Sequence, residues 1–94
     1  MNERPIDLRL WRQFVAVAQE LHFGRAARSL HMTQPPLTQG IAQLETTLGV
    51  RLFERSRRGA ELGCAGRAVN DDVRASLALA ASAEQHARAI ADGK

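Results

Sequence analysis

The chain has 94 residues, of which 45% are apolar, so it can form one small domain with a modest core. Alanine and leucine are abundant, tyrosine is absent and phenylalanine occurs three times, a composition that favours helices over sheets. The net charge of +3 is uneven, because residues 1–60 carry nine arginines against five acidic side chains.

Composition also argues against several classes of protein. The single cysteine, Cys64, allows neither an internal disulfide nor a thiolate metal cluster, and it suits a reducing cytoplasm. No apolar run reaches the length of a membrane span, and no secretory signal is expected at the start. The three histidines lack the spacing of metal ligands, and no Ser/His/Asp set, phosphate loop or carboxylate pair supports catalysis. We therefore expect neither an enzyme nor a metalloprotein.

The first predicted helix begins after an N-cap at Asp7 and runs to about Leu21. It is apolar on two faces, one of which is expected to close the domain core. The other face needs a further partner, either the C-terminal helix or a second subunit. One stripe comprises Leu8, Trp11, Phe14 and Ala18, and the other comprises Leu10, Phe14, Val17 and Leu21.

A short helix, a tight turn and a longer helix are predicted over residues 23–49. Gly24 is the expected cap of the short helix, which contains Ala26 and Ala27. The hydroxyl of Thr33 is expected to cap the longer helix, and two prolines follow in its first turn, where a missing N–H costs little. Apolar residues then recur at helical spacing until Gly49, namely Leu37, Ile41, Leu44 and Leu48.

The face of the longer helix that lies opposite this apolar stripe is neutral and rich in amides. Such a face suits a major groove, because amides can pair with the edges of bases. The residues predicted to read bases are Gln34, Pro35, Thr38, Gln39 and Gln43, helped by Pro36, with Thr33 positioning the turn.

A two-stranded wing is predicted at about residues 51–62, where apolar and polar side chains alternate and Gly59 makes the turn. Arginines cluster near its tip, and a narrow minor groove attracts arginine through its negative potential. Two arginines of the short helix are further candidates for phosphate contacts, with ordinary exposed side chains as the alternative. The arginines concerned are Arg55, Arg57 and Arg58 of the wing and Arg25 and Arg28 of the short helix.

The last predicted element is a long helix over residues 65–91 with a single apolar seam. Its seam residues step by three or four positions, which is the spacing of a coiled coil. A single seam must be buried against a partner, and we expect a second copy of the chain. The predicted dimer contacts are Val69, Val73, Leu77, Ala80, Ala87 and Ile90, together with Leu10 and Val17 of the first helix.

These motifs resemble the winged helix-turn-helix of LysR-type transcriptional regulators, from about Asp7 to Gly66. The resemblance is carried by Phe23-x-x-Ala26-Ala27-x-x-Leu30-His31-x-Thr33-Gln34-Pro35-x-Leu37-Thr38-x-x-Ile41-x-x-Leu44-Glu45-x-x-Leu48-Gly49 and by Leu52-Phe53-Glu54-Arg55. Several residues depart from the family pattern. Gln39 replaces a frequent arginine, Gly40 replaces a longer polar residue, and Gly63 replaces the usual threonine cap.

The resemblance implies an all-α fold with a small two-stranded β wing. A winged helix-turn-helix domain would span residues 7–64, with the helix-turn-helix at about 23–42, and a linker or dimerisation helix would span 65–91. The implied function is sequence-specific binding of a dimer to AT-rich interrupted-dyad promoter sites in double-stranded DNA, in the bacterial cytoplasm at the nucleoid.

For the full-length parent, the resemblance implies an effector-binding domain that is absent from this chain and that answers to a small-molecule inducer. No cofactor and no membrane partner are expected for the chain itself. The parent is expected to be a tetramer, with RNA polymerase as a further partner.

The residues leave two alternatives open. A winged helix used for nucleoid architecture would bind random DNA nearly as well as an operator, which a competition assay would reveal. A protein-interaction module would use the C-terminal helix as its functional surface and would have no affinity for DNA.

Overall fold

The computed structural model describes residues 5–93, which form four helices and one antiparallel hairpin. The predicted fold class, helical with a small two-stranded wing, is confirmed. The elements are α1 (Leu8–Glu20), α2 (Phe23–Ser29), α3 (Gln34–Leu48), β1 (Phe53–Ser56), β2 (Gly59–Leu62) and α4 (Cys64–Ala91). None of the helices in the described part is long and apolar enough to cross a membrane.

The caps of the first two helices are side chains that accept backbone N–H groups. Asp7 caps α1 as predicted, because its carboxylate accepts the amide of Arg9 at 2.8 Å. The predicted cap of α2 is wrong: His22, and not Gly24, occupies that position, and its Nδ1 accepts the amide of Arg25 at 3.1 Å.

Thr33 is the N-cap residue of α3, but its side chain makes no capping hydrogen bond. A cap hydroxyl usually accepts from the amide two or three residues further on. In this chain those positions are Pro35 and Pro36, which have no N–H. The expected hydroxyl bond is therefore wrong, since the prolines that favour the helix start also remove its donors.

The core lies where α1 crosses α2, α3, the wing and α4. Four aromatic rings meet there: Phe14 lies 5.4 Å from Phe53 and 5.8 Å from Trp11 between ring centroids, and Phe23 lies 6.2 Å from Phe53. The remaining buried apolar residues are Leu10, Val17, Ala18, Ala26, Ala27, Leu37, Ile41, Leu44, Leu52, Ala60 and Val73.

Two residues of α1 that were predicted to contact a second subunit belong to this core. Leu10 is 7% exposed and Val17 is 0% exposed, so both side chains pack within the chain. The stripe that contains them faces the interior of the domain. The other stripe, with the exposed Leu8 and the half-buried Trp11, lies beside α4. The C-terminal helix, one of the two partners considered for the second stripe, therefore lies beside it.

The first half of α4 is likewise engaged within the chain. Val73, a predicted dimer contact, is 7% exposed and packs against the core of its own chain. Val69 and Leu77 are partly buried against the same core, one turn on either side. Towards the end of the helix, Ala87 and Ile90 are exposed.

Gly66 brings the start of α4 against the root of the wing. A Cβ atom at this position would collide with the carbonyl oxygen of Leu52 and would lie 2.8 Å from Cδ2 of Leu62. The same carbonyl accepts the amide N–H of Gly63 at 2.9 Å. The backbone of α4 is therefore held directly on the backbone that leads into the wing.

We expect Gly66→Ala to lower the free energy of unfolding by about 1–3 kcal/mol, because overpacking outweighs the gain in helix propensity. The measurement is urea denaturation followed by circular dichroism. Gly63→Ser is the matched control, since a Cβ at position 63 meets no atom closer than 3.5 Å and a serine cap stabilises a helix start. A stabilised Gly66→Ala protein would contradict the close approach.

Candidate nucleic-acid interface

The candidate interface centres on the outward face of α3. Its inward residues Leu37, Ile41 and Leu44 are all 0% exposed, which fixes the rotation of the helix. Thr38 is half-buried at the edge of the outward face. The exposed residues are Gln34, Pro35, Pro36, Gln39, Ala42, Gln43 and Thr46, so the structure presents a continuous surface without a formal charge.

The turn before α3 sets the angle between α2 and α3. His31 has a φ of 57°, a left-handed conformation that reverses the chain within a few residues. The amide of Met32 donates to the carbonyl oxygen of Ala27 at 2.9 Å. This backbone hydrogen bond closes the turn and holds α2 behind α3. We call the exposed side of α3 the recognition face.

The wing is a hairpin whose root is fixed and whose tip is exposed. Phe53 pairs with Leu62 at the root, and Ser56 pairs with Gly59 at the tip. The amide of Ala60 donates to the carbonyl oxygen of Leu21 at 3.0 Å, which joins the wing to the end of α1. Arg57 and Arg58 form the exposed turn between the strands.

Glu45 connects the recognition helix to the wing. Its Oε2 accepts the amide of Leu52 at 2.8 Å and the amide of Phe53 at 3.3 Å. An ionised carboxylate that accepts backbone N–H groups makes strong, oriented bonds. This role of Glu45 was not predicted from the sequence. The available signal was an acidic residue in the last turn of α3, where the helix dipole disfavours negative charge.

Arg55 packs on the ring of Phe23, with its guanidinium carbon 4.4 Å from the ring centroid. Phe23 is only 9% exposed and belongs to the aromatic core. This cation–π contact attaches the outer surface of β1 to the start of α2. Arg55 therefore supports the wing and also contributes positive charge to its surface.

A cleft of about 280 Å³ lies between the wing and the first turns of α3. One side-chain amide from α3 and two guanidinium groups from the wing face this cleft, although they are far apart in sequence. The predicted site residues that line it are Gln34, Thr38, Arg55 and Arg57.

Other predicted site residues lie outside this cleft. Arg25 is engaged within the domain, since its Nη2 donates to the carbonyl oxygen of Glu20 at 3.3 Å and its Nε lies 3.7 Å from the carboxylate. Arg28 is exposed in the last turn of α2. Gln39 and Gln43 line a different groove, on the α1 side of α3.

Across residues 5–93, no three histidine, cysteine, aspartate or glutamate side chains are grouped so that they could hold a metal ion. Cys64 is exposed at the first position of α4.

A short helix, a tight turn, an exposed second helix and a basic hairpin together define a winged helix-turn-helix domain. A family model described as "Bacterial regulatory helix-turn-helix protein, lysR family" matches residues 8–67. The chain therefore belongs to the LysR family, and it contains the DNA-binding domain of a LysR-type transcriptional regulator. This is a family of regulators and not of enzymes.

Curated relatives are similar over most of this chain. The HTH-type transcriptional regulator BudR of Klebsiella aerogenes is 50% identical over 88 residues, which cover 94% of this chain and 62% of BudR. AlsR of Bacillus subtilis is 51% identical over 72 residues, covering 77% of this chain and 24% of AlsR. The chain thus spans less than two thirds of the length of these relatives.

Solved structures show the same fold. The crystal structure of the CbnR_DBD-DNA complex is 43% identical with a TM-score of 0.84, and the match covers 92% of this chain and 99% of that one. The BenM_DBD/catB site 1 DNA complex is 34% identical with a TM-score of 0.89, covering 95% of this chain and all of the other.

We expect Glu45→Ala to lower the free energy of unfolding by about 1.5–3 kcal/mol, because two backbone amides at the wing root lose a charged acceptor. Hydrogen exchange should accelerate at the amides of Leu52 and Phe53. The control is Glu54→Ala, since Glu54 is exposed and stands opposite Glu61 across the hairpin, where like charges repel. Equal stability of the two variants would contradict the proposed connection.

Proposed function

We propose that this chain binds a specific promoter operator in double-stranded DNA, with α3 in the major groove and the wing at the neighbouring minor groove. The observation that carries the proposal is the neutral, amide-rich recognition face beside an arginine-bearing wing. The DNA complexes of CbnR_DBD and BenM_DBD, which are similar over nearly the whole chain, support it.

In this proposal the recognition face reads sequence. Gln34 and Gln39 lie in the first turns of α3, and amide side chains can pair bidentately with adenine. Thr38 and Gln43 add further hydrogen-bonding groups, while Pro35 and Pro36 contribute apolar surface of the kind that contacts a thymine methyl. Without a formal charge on this face, little of its affinity would come from the phosphate backbone.

The wing supplies that backbone affinity. Arg57 and Arg58 are exposed at its tip, and Arg55 faces the cleft beside Gln34. Each guanidinium can neutralise a phosphate or enter a narrow minor groove without selecting a single base. Arg28 is an additional candidate for phosphate contact. Arg25 would first have to break its hydrogen bond and ion pair with Glu20.

We further propose that the chain forms a homodimer through the later turns of α4. Leu79 and Ile90 are 72% and 75% exposed, and eleven residues along a helix return to nearly the same face. This face is rotated by about 100° from Val73, which packs against the core, so the dimer seam differs from the predicted one. Ala80 and Ala87 lie about 20° and 40° from Val73, closer to its face than to that of Leu79 and Ile90.

For the whole protein we propose the organisation that the family resemblance implies. The domain of residues 7–64 and the linker helix of residues 65–91 would precede an effector domain that binds a small-molecule inducer. The assembly would be a cytoplasmic tetramer on AT-rich interrupted-dyad sites, and RNA polymerase would be a further partner. The greater length of BudR and AlsR supports an additional domain.

Variants of the base-contacting glutamines and variants of the phosphate-contacting arginines should lose DNA affinity in different ways. Gln34→Ala and Gln39→Ala should reduce operator affinity more than random-DNA affinity, by about 1–3 kcal/mol per bidentate contact. Arg57→Ala and Arg58→Ala should weaken both kinds of DNA equally and reduce the slope of log affinity against log salt by about one unit each. Salt titrations on operator and random duplexes measure both effects.

The wild-type titration also tests the alternatives. Nearly equal affinity for operator and random duplex would favour an architectural protein, and no affinity for either would favour a protein-interaction module. If the glutamine variants lost the salt slope while the arginine variants lost base preference, the assigned roles would be reversed.

The dimer seam is tested by Leu79→Asp and Ile90→Asp, which place a charge on an exposed face and so should not disturb folding. We expect monomers by sedimentation. Affinity for an operator with two half-sites should fall far more than affinity for a single half-site, because the two DNA-binding heads are no longer linked and the second loses its high effective concentration. Ala81→Asp is the control, since residue 81 lies on the opposite side of α4 from residue 90. Identical sedimentation of all three variants would contradict this interface.

A further inference from the structure

The cleft between the wing and α3 is lined by a histidine that the proposed function does not use. His22 borders the same cleft as Gln34, Thr38, Arg55 and Arg57. The histidine belongs to neither α3 nor the wing, because it is the N-cap residue of α2. Polar side chains from three parts of the chain therefore converge on this cleft.

A hydrogen bond within the chain fixes which ring nitrogen His22 can offer to a ligand. Its Nδ1 accepts the amide N–H of Arg25 at 3.1 Å, so Nδ1 carries no proton. In a neutral imidazole the proton then lies on Nε2, which becomes a hydrogen-bond donor. Within residues 5–93, no group accepts a hydrogen bond from Nε2. The half-buried ring therefore keeps one donor for a ligand in the cleft.

Gly24 leaves the space in which this ring lies. A Cβ atom at position 24 would lie 2.9 Å from Cε1 of His22, which is closer than real Cβ atoms approach another atom. The same Cβ would lie 3.5 Å from Oε1 of Gln34. The imidazole and the first side chain of α3 thus border one small space, and Cε1 is bonded to the donor nitrogen. The donor is therefore close to the recognition face.

Arg55 brings positive charge to the same cleft in a restrained position. Its guanidinium carbon lies 4.4 Å from the centroid of the Phe23 ring, and Phe23 directly follows His22 in the chain. Cation–π attraction restrains a side chain without a hydrogen-bond acceptor, so the N–H groups of the guanidinium stay available. In the part of the chain that the structure describes, no acidic side chain lines the cleft. The cleft therefore suits an anion.

The geometry of DNA indicates which anion would enter the cleft. A sugar–phosphate strand separates each major groove from the neighbouring minor groove. With α3 in the major groove and the wing at the minor groove, this strand must pass between them, where the cleft lies. Its phosphates are negatively charged and accept hydrogen bonds.

We propose that the cleft binds a phosphate of the strand between the two grooves, and that His22 contacts the DNA directly. The Nε2–H of His22 donates to a phosphate oxygen, and the guanidinium of Arg55 pairs with the same phosphate. This inference rests on the proposed placement of α3 and the wing. It gives the residue that caps α2 a second role, in binding.

A salt titration on a random-sequence duplex tests the role of His22, because a phosphate contact does not depend on the bases. His22→Ser keeps a capping oxygen and removes the Nε2–H. We expect affinity to fall about tenfold with an unchanged salt slope, since the lost donor is neutral. The melting temperature should stay near the wild-type value. His31→Asn is the matched control and should bind like wild type, because His31 is exposed outside the cleft and asparagine tolerates its left-handed backbone.

A double-mutant cycle tests whether His22 and Arg55 share one phosphate. Arg55→Gln alone should lower the salt slope by about one unit. Combined with His22→Ser, it should lower affinity by less than the product of the two single losses, because each change already weakens the shared contact. Arg58→Gln is the matched comparison, since Arg58 is exposed at the wing tip and does not line the cleft. Its loss and that of His22→Ser should multiply.

The outcomes separate this inference from the proposed function. If the wing variants lose affinity while His22→Ser binds like wild type, His22 does not contact the DNA, although the domain binds it. Equal losses from His22→Ser and His31→Asn, or a lower melting temperature of His22→Ser, would make the effect of His22 structural. Losses that multiply for His22→Ser with Arg55→Gln would contradict the shared phosphate. Wild-type protein without affinity for DNA would overturn the proposed function itself.

Discussion

The domain depends on an aromatic cluster that contains all three phenylalanines and the single tryptophan of the chain. Phe14 from α1, Phe23 from α2 and Phe53 from β1 meet with Trp11 at its edge, so three elements share one packing centre. A 94-residue chain with a modest apolar fraction has few alternative ways to fix a hairpin to a helical body. Because Arg55 stacks on Phe23, the cluster also supports the charged surface of the wing.

The surface built on this core separates two physical tasks. The recognition face carries amides without formal charge, while arginines are concentrated on the flanking elements. Glu45 joins the two by holding the amides of Leu52 and Phe53 from the last turn of α3. The distance between the part suited to bases and the part suited to phosphates is thus set by hydrogen bonds inside the domain.

Local patterns predicted the parts of the structure that depend on local physics. The 3.6-residue period of Leu37, Ile41 and Leu44 defined both the buried and the exposed side of α3 from the sequence. The two stripes of α1 could not be assigned, because both are apolar and only tertiary packing decides which neighbour covers each. Relations between distant positions, such as the hydrogen bond of Glu45 with Leu52 or the close approach of Gln13 to Gly40, leave no periodic signal.

A Cβ atom at position 40 of α3 would collide with Oε1 of Gln13 in α1, and this close approach limits how new specificity can be engineered. Transplanting α3 from a relative with a long side chain at position 40 would force that side chain into the volume held by Gln13. The transferable specificity module is therefore discontinuous in sequence: α3 must be exchanged together with residue 13 of α1. Chimeras that exchange α3 and residue 13 together keep the crossing of α1 and α3. Chimeras that exchange α3 alone have a steric clash between residues 13 and 40 beneath the recognition face.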